Sequence, residues 1–231
     1  MFPRTKMTIL TKLLYFWSVE ESQKRTAVML GVTPHLVGRV FKALRSVCSL
    51  DLVRRPIYPF GGPNTVCKCD ESKFNHKSKA QRGRRSQQDT WVFGIITTEK
   101  SPCRGYFQVV EKRNRATLMP IIRTVLMPNS ELHTDDSAVY CNLRQYAPNI
   151  ICHRVVTHAD NFVDPVTGVH TQEIESAWNR LKTKIKTRKG IRPSNLQSFL
   201  DEQMWRDFRG EDSPFENFAS MIPLYYINHP Q

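Results

Sequence analysis

A chain of 231 residues with 40% hydrophobic content can build one large domain, or one domain with a small companion. Its formal net charge of +13 favours a polyanionic partner, because each neutralised phosphate releases counterions. Nothing approaches the ~18 apolar residues of a membrane span, and the first seven residues lack the apolar run of a secretion signal. The expectation is therefore a non-secreted protein with no membrane partner, nuclear in a eukaryotic cell and cytoplasmic otherwise. In that reducing setting the six cysteines are expected to be free thiols, and the Cys67–Cys69 pair lacks the paired Cys-x-x-Cys spacing of a zinc site.

Residues 9–50 read as helical, with apolar residues at helical spacing. Thr33 is a natural N-cap with Pro34 at the first helical position, and Gly31 suits the tight turn before them. The result is helix, short turn, helix. The small residue, turn glycine and packing aliphatics of a helix-turn-helix fall on Ala27, Gly31, Val37 and Val40. Its second helix would present Thr33, His35, Gly38, Arg39 and Lys42 to base edges and phosphates. A plain helical hairpin would pack the same way. The charge balance favours DNA, since residues 1–62 carry ten Lys/Arg against three Asp/Glu.

Residues 54–64 hold three prolines and a Gly-Gly pair and read as a linker. The boundary drawn here gives 1–62 as a helical DNA-binding region and 63–231 as a second domain ending in a helical tail. Strands are expected over 65–70, 91–97 and 106–110, a helix over 116–127, a strand over 131–135, a helix over 138–146 and a strand over 154–156. Long helices follow over 172–189 and 195–209. Three strands and then alternating helix and strand indicate an α/β fold, a mixed sheet flanked by helices.

Two acids, Asp70 and Asp135, follow short strand-like runs, and Glu175 opens a basic amphipathic helix. Mg²⁺ or Mn²⁺ held against a phosphodiester needs hard oxygen ligands, which two strand-end carboxylates and one from a crossing helix can supply. Glu175, Asn179 and Lys182 share one helical face, beside an apolar stripe of Ile174, Trp178, Leu181 and Ile185. Arg180, Lys182, Lys184, Lys186, Arg188, Lys189 and Arg192 follow Glu175 with no acid among them, a run that would attract a DNA backbone. Read alone, Glu175 is better taken as an ordinary first-turn dipole partner on a solvated basic helix. Arg82, Arg84 and Arg85, with Lys77 and Lys79, read as a phosphate-touching hairpin tip, or as a nuclear localisation signal.

From about residue 64 to 210 the chain resembles the ISXO2-like transposases, relatives of the IS1595 and Merlin groups of DDE elements. The resemblance rests on Cys-Asp-Glu-Ser-Lys-Phe at 69–74, Gln-Arg-Gly-Arg-Arg at 81–85, Trp-Val-Phe-Gly at 91–94 and His-Thr-Asp at 133–135. The most specific blocks are Asp-Pro-Val-Thr-Gly-Val-His-Thr-Gln-Glu-Ile-Glu-Ser-Ala-Trp at 164–178 and Leu-Asp-Glu-Gln-Met-Trp-Arg at 200–206. The resemblance implies an RNase H-like fold with Asp70, Asp135 and Glu175 as a metal-binding catalytic triad. It also implies a basic residue seven positions after the Glu, where Lys182 stands, and a helix-turn-helix upstream. It implies a DNA transposase that cuts at terminal inverted repeats and joins the freed 3′-hydroxyl to target DNA, working as a dimer or larger assembly. Val-Cys-Lys-Cys before Asp70 is less aliphatic than the family pattern. Asp135 is preferred over the adjacent Asp136, and Glu71 is read as a surface acid ahead of a second ligand or an acid supporting the ligands. The alternatives are a transposon-derived DNA-binding protein without mobility, and an RNase H-like nuclease acting on RNA or structured DNA.

Overall fold

The computed structural model describes residues 5–74, 89–156, 170–211 and 213–227. Its first elements are α1 (Met7–Ser18), α2 (Gln23–Leu30) and α3 (Pro34–Arg54). The hydroxyl of Thr33 accepts the Leu36 N–H at 3.2 Å and caps α3, directly ahead of Pro34. Gly31 ends α2 in the left-handed region at φ 61°, where a side chain would be strained. Ala27, Val37 and Val40 are buried as the motif requires, so the helix-turn-helix arrangement is present.

These helices do not close a core alone. Against them pack the far part of α7 (Leu196–Arg209) and α8 (Pro214–Ile227). Trp17 meets Phe218 and Trp205 with ring centroids 4.8 and 6.1 Å apart. By packing, the chain falls into two units, Met1–Arg55 with Asp201–Gln231, and Pro56–Leu200. That grouping differs from a division at 62/63, which leaves the C-terminal helices with the second region. A set of helices this short buries too little surface by itself, and Trp205, Phe218 and Met221 supply the missing apolar face. Nor do residues 56–62 form a free linker. Phe60 is buried and bridges Leu126, donating to Val125 O and accepting from Met127 N, both at 2.9 Å.

The second unit is built on a five-stranded sheet of β1 (Val66–Lys73), β2 (Trp91–Thr97), β3 (Arg104–Val110), β4 (Ser130–Asp135) and β5 (Ile150–Val156), in the order β3-β2-β1-β4-β5. β1, β2 and β3 pair antiparallel, whereas β4 pairs parallel with both β1 and β5. Around it stand α4 (Arg115–Val125) against β2, α5 (Leu143–Tyr146) against β5 and α6 (Gln172–Thr187) against β1 and β2. This is the RNase H-like mixed sheet flanked by helices. β2 is buried along nearly its whole length, as its continuous apolar run requires.

The differences from expectation are local. β1 continues past Asp70 to Lys73 because Glu71, Ser72 and Lys73 pair with Phe93, Val92 and Trp91. The helix expected over 138–146 breaks, since Asn142 takes φ 54°, leaving a 3₁₀ turn at Ala138–Tyr140 and the short α5. The helix α4 stops at Val125 because Leu126 turns extended to meet Phe60. Among the described residues, no helix is long and apolar enough to cross a membrane.

Candidate active site

Side chains alternate along β1, so Lys68, Asp70 and Ser72 share one face and Cys67, Cys69 and Glu71 the other. The parallel register pairs Lys68 with His133. Two residues further along each strand come Asp70 and Asp135, on adjoining strands and the same face. Across the antiparallel side, Asp70 stands opposite Gly94, and Gly94 opposite Phe107. Over this face lies α6, tied to β1 by three contacts in sequence order. Lys68 Nζ meets Glu173 Oε2 at 2.5 Å, the Trp178 indole N–H donates to Asp70 Oδ2 at 2.9 Å, and Lys182 Nζ donates to Ser72 Oγ at 2.6 Å.

Backbone donors orient the acids. Asp70 Oδ1 accepts the Glu71 N–H at 2.7 Å, and Asp135 Oδ1 accepts the Ser137 N–H at 3.2 Å. Burial pushes the Lys182 ammonium below its ordinary 10.5, while the Asp70 charge pulls it back up. Glu71 is partly buried and takes the Tyr140 hydroxyl as donor. Burial raises it above 4.5, the Tyr140 hydrogen bond opposes the rise, and Asp70 and Asp135 add to it. Glu71 is therefore not the surface acid expected. Burial alone would raise Glu173, but the hydrogen bond from Lys68 holds it below 4.5. His170 Nδ1 lies 3.1 Å from the same Glu173 oxygen. Burial also holds His133 below 6.5, while Glu131, 2.8 Å from its Nε2, pulls the other way. Cys67 and Cys69 point away from Asp70 and are wholly buried, with the Cys67 thiol pushed up to about 12, so both are unreactive packing residues.

Of the residues expected in the site, the structure brings Asp70, Asp135 and Lys182 to one face of the sheet. Glu175 is exposed on α6, one turn before Trp178. Among the described residues, no group of three or more His, Cys, Asp or Glu could hold a metal ion, so the three carboxylates are not drawn into one cage. Thr33, His35, Arg39 and Lys42 are exposed at the start of α3. Lys184 and Lys186 lie in the last turn of α6 and Arg188 and Lys189 just after it, with the Arg188 guanidinium 5.2 Å from the Phe199 ring and Lys186 and Lys189 exposed. Arg180 is turned inward, donating to Cys103 O at 2.8 Å. Arg82, Arg84 and Arg85, with Lys77 and Lys79, lie outside the described residues. Sequence reasoning missed Lys68, Ser72, Glu173 and the polar end of Trp178. The signal for Lys68 was the departure already visible in Val-Cys-Lys-Cys, a lysine inside a strand and two residues before an acid.

Residues 60–207 match the family model of the ISXO2-like transposase domain, which covers more than half the chain. The chain belongs to the ISXO2-like transposase family. A curated relative from Haemophilus influenzae (strain ATCC 51907 / DSM 11121 / KW20 / Rd), described as an uncharacterized transposase-like protein, is 27% identical over 106 residues, 45% of this chain and 80% of the relative. Among solved structures, the catalytic core domain of BIV integrase is similar over 70% of this chain and 97% of that one, at 13% identity and a TM-score of 0.40. The Mos1 strand transfer complex is similar over 93% and 75%, at 12% identity and a TM-score of 0.34. In this ISXO2-like chain the donor chemistry fits a hard divalent cation. Asp70 and Asp135 offer carboxylate oxygens on neighbouring rigid strands, and Glu175 lies on the helix packed over them.

Proposed function

We propose that this protein is a DNA transposase that hydrolyses a phosphodiester at each transposon end and then uses the freed 3′-hydroxyl to attack a target phosphodiester, joining the end to the target 5′-phosphate and releasing a target 3′-hydroxyl. The observation that carries the proposal is the placement of Asp70 and Asp135 side by side under the helix that bears Glu175 and Lys182. Asp70, Asp135 and Glu175 would hold Mg²⁺ or Mn²⁺. When bound, the ion supplies Lewis-acid polarisation of the phosphate and a water or hydroxyl deprotonated at neutral pH. The protein's own part is positional. The strands fix two oxygen donors, and their backbone N–H partners set the carboxylate planes. Lys182 brings a cation beside Asp70, where it can meet a non-bridging phosphate oxygen. Lys184, Lys186, Arg188 and Lys189 extend that positive charge along the backbone of bound DNA. Thr33, His35, Arg39 and Lys42 on α3 would read the terminal inverted repeats, and Arg82, Arg84 and Arg85 would add phosphate contacts. Joining two ends requires a dimer or larger assembly on DNA. The protein would work in the nucleus of a eukaryotic cell or the cytoplasm of a bacterium.

The test is Mg²⁺-dependent nicking of transposon-end DNA by the purified protein, compared with Asp70→Ala, Asp135→Ala and Glu175→Ala. Loss of nicking in all three, with end binding retained, supports the assignment. Equal nicking by all four proteins removes it. Binding without cleavage by the unaltered protein, in Mn²⁺ as well as Mg²⁺, leaves only a DNA-binding protein.

A further inference from the structure

We infer that Trp178 is a positioning residue of this site, its indole N–H fixing the Asp70 carboxylate and the turn of α6 that carries Glu175 against β1. The inference rests on the reading of Asp70 as a metal-holding acid. It begins with the cross-strand row Asp70, Gly94 and Phe107, three residues that face α6 together. The middle position has no side chain, and none would fit. A Cβ on Gly94 would come within 2.5 and 2.8 Å of Trp178 ring carbons and 2.9 Å of the Phe107 ring. The indole therefore lies directly on the backbone of β2. Phe107 and Phe74 hold it from two sides, edge to face, with centroids 5.3 and 5.7 Å away.

So enclosed, Trp178 is 4% exposed, and its single polar atom must find an acceptor inside the protein. That acceptor is Asp70 Oδ2. Packing alone would be served by any large apolar side chain at this position. What Trp adds is a donor aimed at one carboxylate oxygen while the backbone N–H of Glu71 holds the other. The terminal torsion of an aspartate is otherwise broad, so two donors on two oxygens turn a rotating group into a fixed plane. Hydrogen-bond partners of ligating carboxylates orient the ligand, and their loss typically costs about 10–100-fold in metal affinity. Glu175 stands three residues before Trp178, one turn away on the same side of the helix. Glu173 on Lys68 and Lys182 on Ser72 brace the turns on either side. Anchoring Trp178 therefore sets how closely Glu175 can approach Asp70.

The experiment measures Mn²⁺ affinity of the full chain by electron paramagnetic resonance, independent of cleavage. Trp178→Phe keeps a ring and removes the donor. Benzothienylalanine at position 178, with sulfur in place of the N–H, keeps the shape more closely and serves if the Phe variant fails to fold. Phe107→Leu disturbs the same aromatic packing without touching the donor. The expected result is a Kd for Mn²⁺ raised about 10–100-fold by the donor-deleting changes, against a near-normal Kd for Phe107→Leu. Unchanged affinity in the donor-deleted proteins, or an equal loss in Phe107→Leu, overturns the positioning role. Asp70→Asn separates the two failures. If it abolishes Mn²⁺ binding while donor deletion does nothing, only the inference about Trp178 falls. If Asp70→Asn binds Mn²⁺ as the unaltered protein does, the metal-site reading falls and the inference with it.

Discussion

Arg206 and Lys68 are buried cations, one in each packing unit, and their surroundings differ. Arg206 is enclosed mostly by buried groups of the helical unit, with the exposed Glu20 3.9 Å away. It pairs with the fully buried Glu202 at 3.1 Å, donates to Trp17 O and Ser18 O at the end of α1, and lies 4.1 Å from the Trp17 ring centroid. Lys68 instead meets Glu173, which remains partly exposed, and the row it begins continues through Asp70 to Ser72 and the exposed Lys182. In the helical unit buried charge is locked among fixed partners. In the sheet unit it leads outward to the Asp70 carboxylate and the exposed Lys182. The contrast separates charge that holds a fold from charge arranged beside the proposed reaction centre.

The strongest way to break this contrast is at the carboxylates. Asp70→Ala should cut Mg²⁺-dependent nicking by about 1,000-fold or more, the several kcal/mol of charge stabilisation lost with the ion, while urea unfolding stays cooperative. A variant that lost folding instead would place Asp70 with Arg206 as a structural charge. Removing one partner of the enclosed pair by Arg206→Met should cost about 3–5 kcal/mol in denaturant unfolding. A midpoint unchanged from the unaltered protein would show that the pair locks nothing. Gly94→Ala should cost about 1–3 kcal/mol, because the new methyl meets Trp178 in a filled space. Its Mn²⁺ affinity should fall as well, which a purely structural core change would not produce. Thr33→Ala removes the cap of α3 and should cost about 1 kcal/mol, read from the thermal midpoint.

A smaller effect lies in pH. The folded-state pKa of Glu173 sits below its ordinary 4.5, so its pairing with Lys68 stabilises the fold above that value and is lost as pH falls through the lowered one. Glu173→Gln should therefore flatten the acid limb of the stability profile below about pH 4.5 and leave its shape at neutral pH alone. An unchanged acid limb would mean that Lys68 is held by other groups.

What the sequence determined was local or periodic. Thr33, Pro34 and Gly31 specify the turn of the helix-turn-helix because caps and left-handed glycines act within a few residues. The apolar run from Trp91 to Thr97 specifies a buried central strand because its burial needs no partner to be named. The positions of Asp70 on a strand, Asp135 at a strand end and Glu175 at a helix start were legible for the same reason, and the family motifs reinforced them. Only the tertiary structure decided which faces meet. Trp178 looked like one more residue of an apolar stripe, and its donor gained meaning only when β1 and β2 placed Asp70 beside an empty Gly94. Asp51 was one acid in a charge count until Trp205 and Arg209, more than 150 residues away, arrived within hydrogen-bond distance at 3.2 and 2.6 Å. The C-terminal helices joined α1–α3 because exposed Trp, Phe and Met faces seek burial wherever the chain can return them. Such pairings depend on surface area and shape summed over the whole fold, which no local pattern of residues encodes.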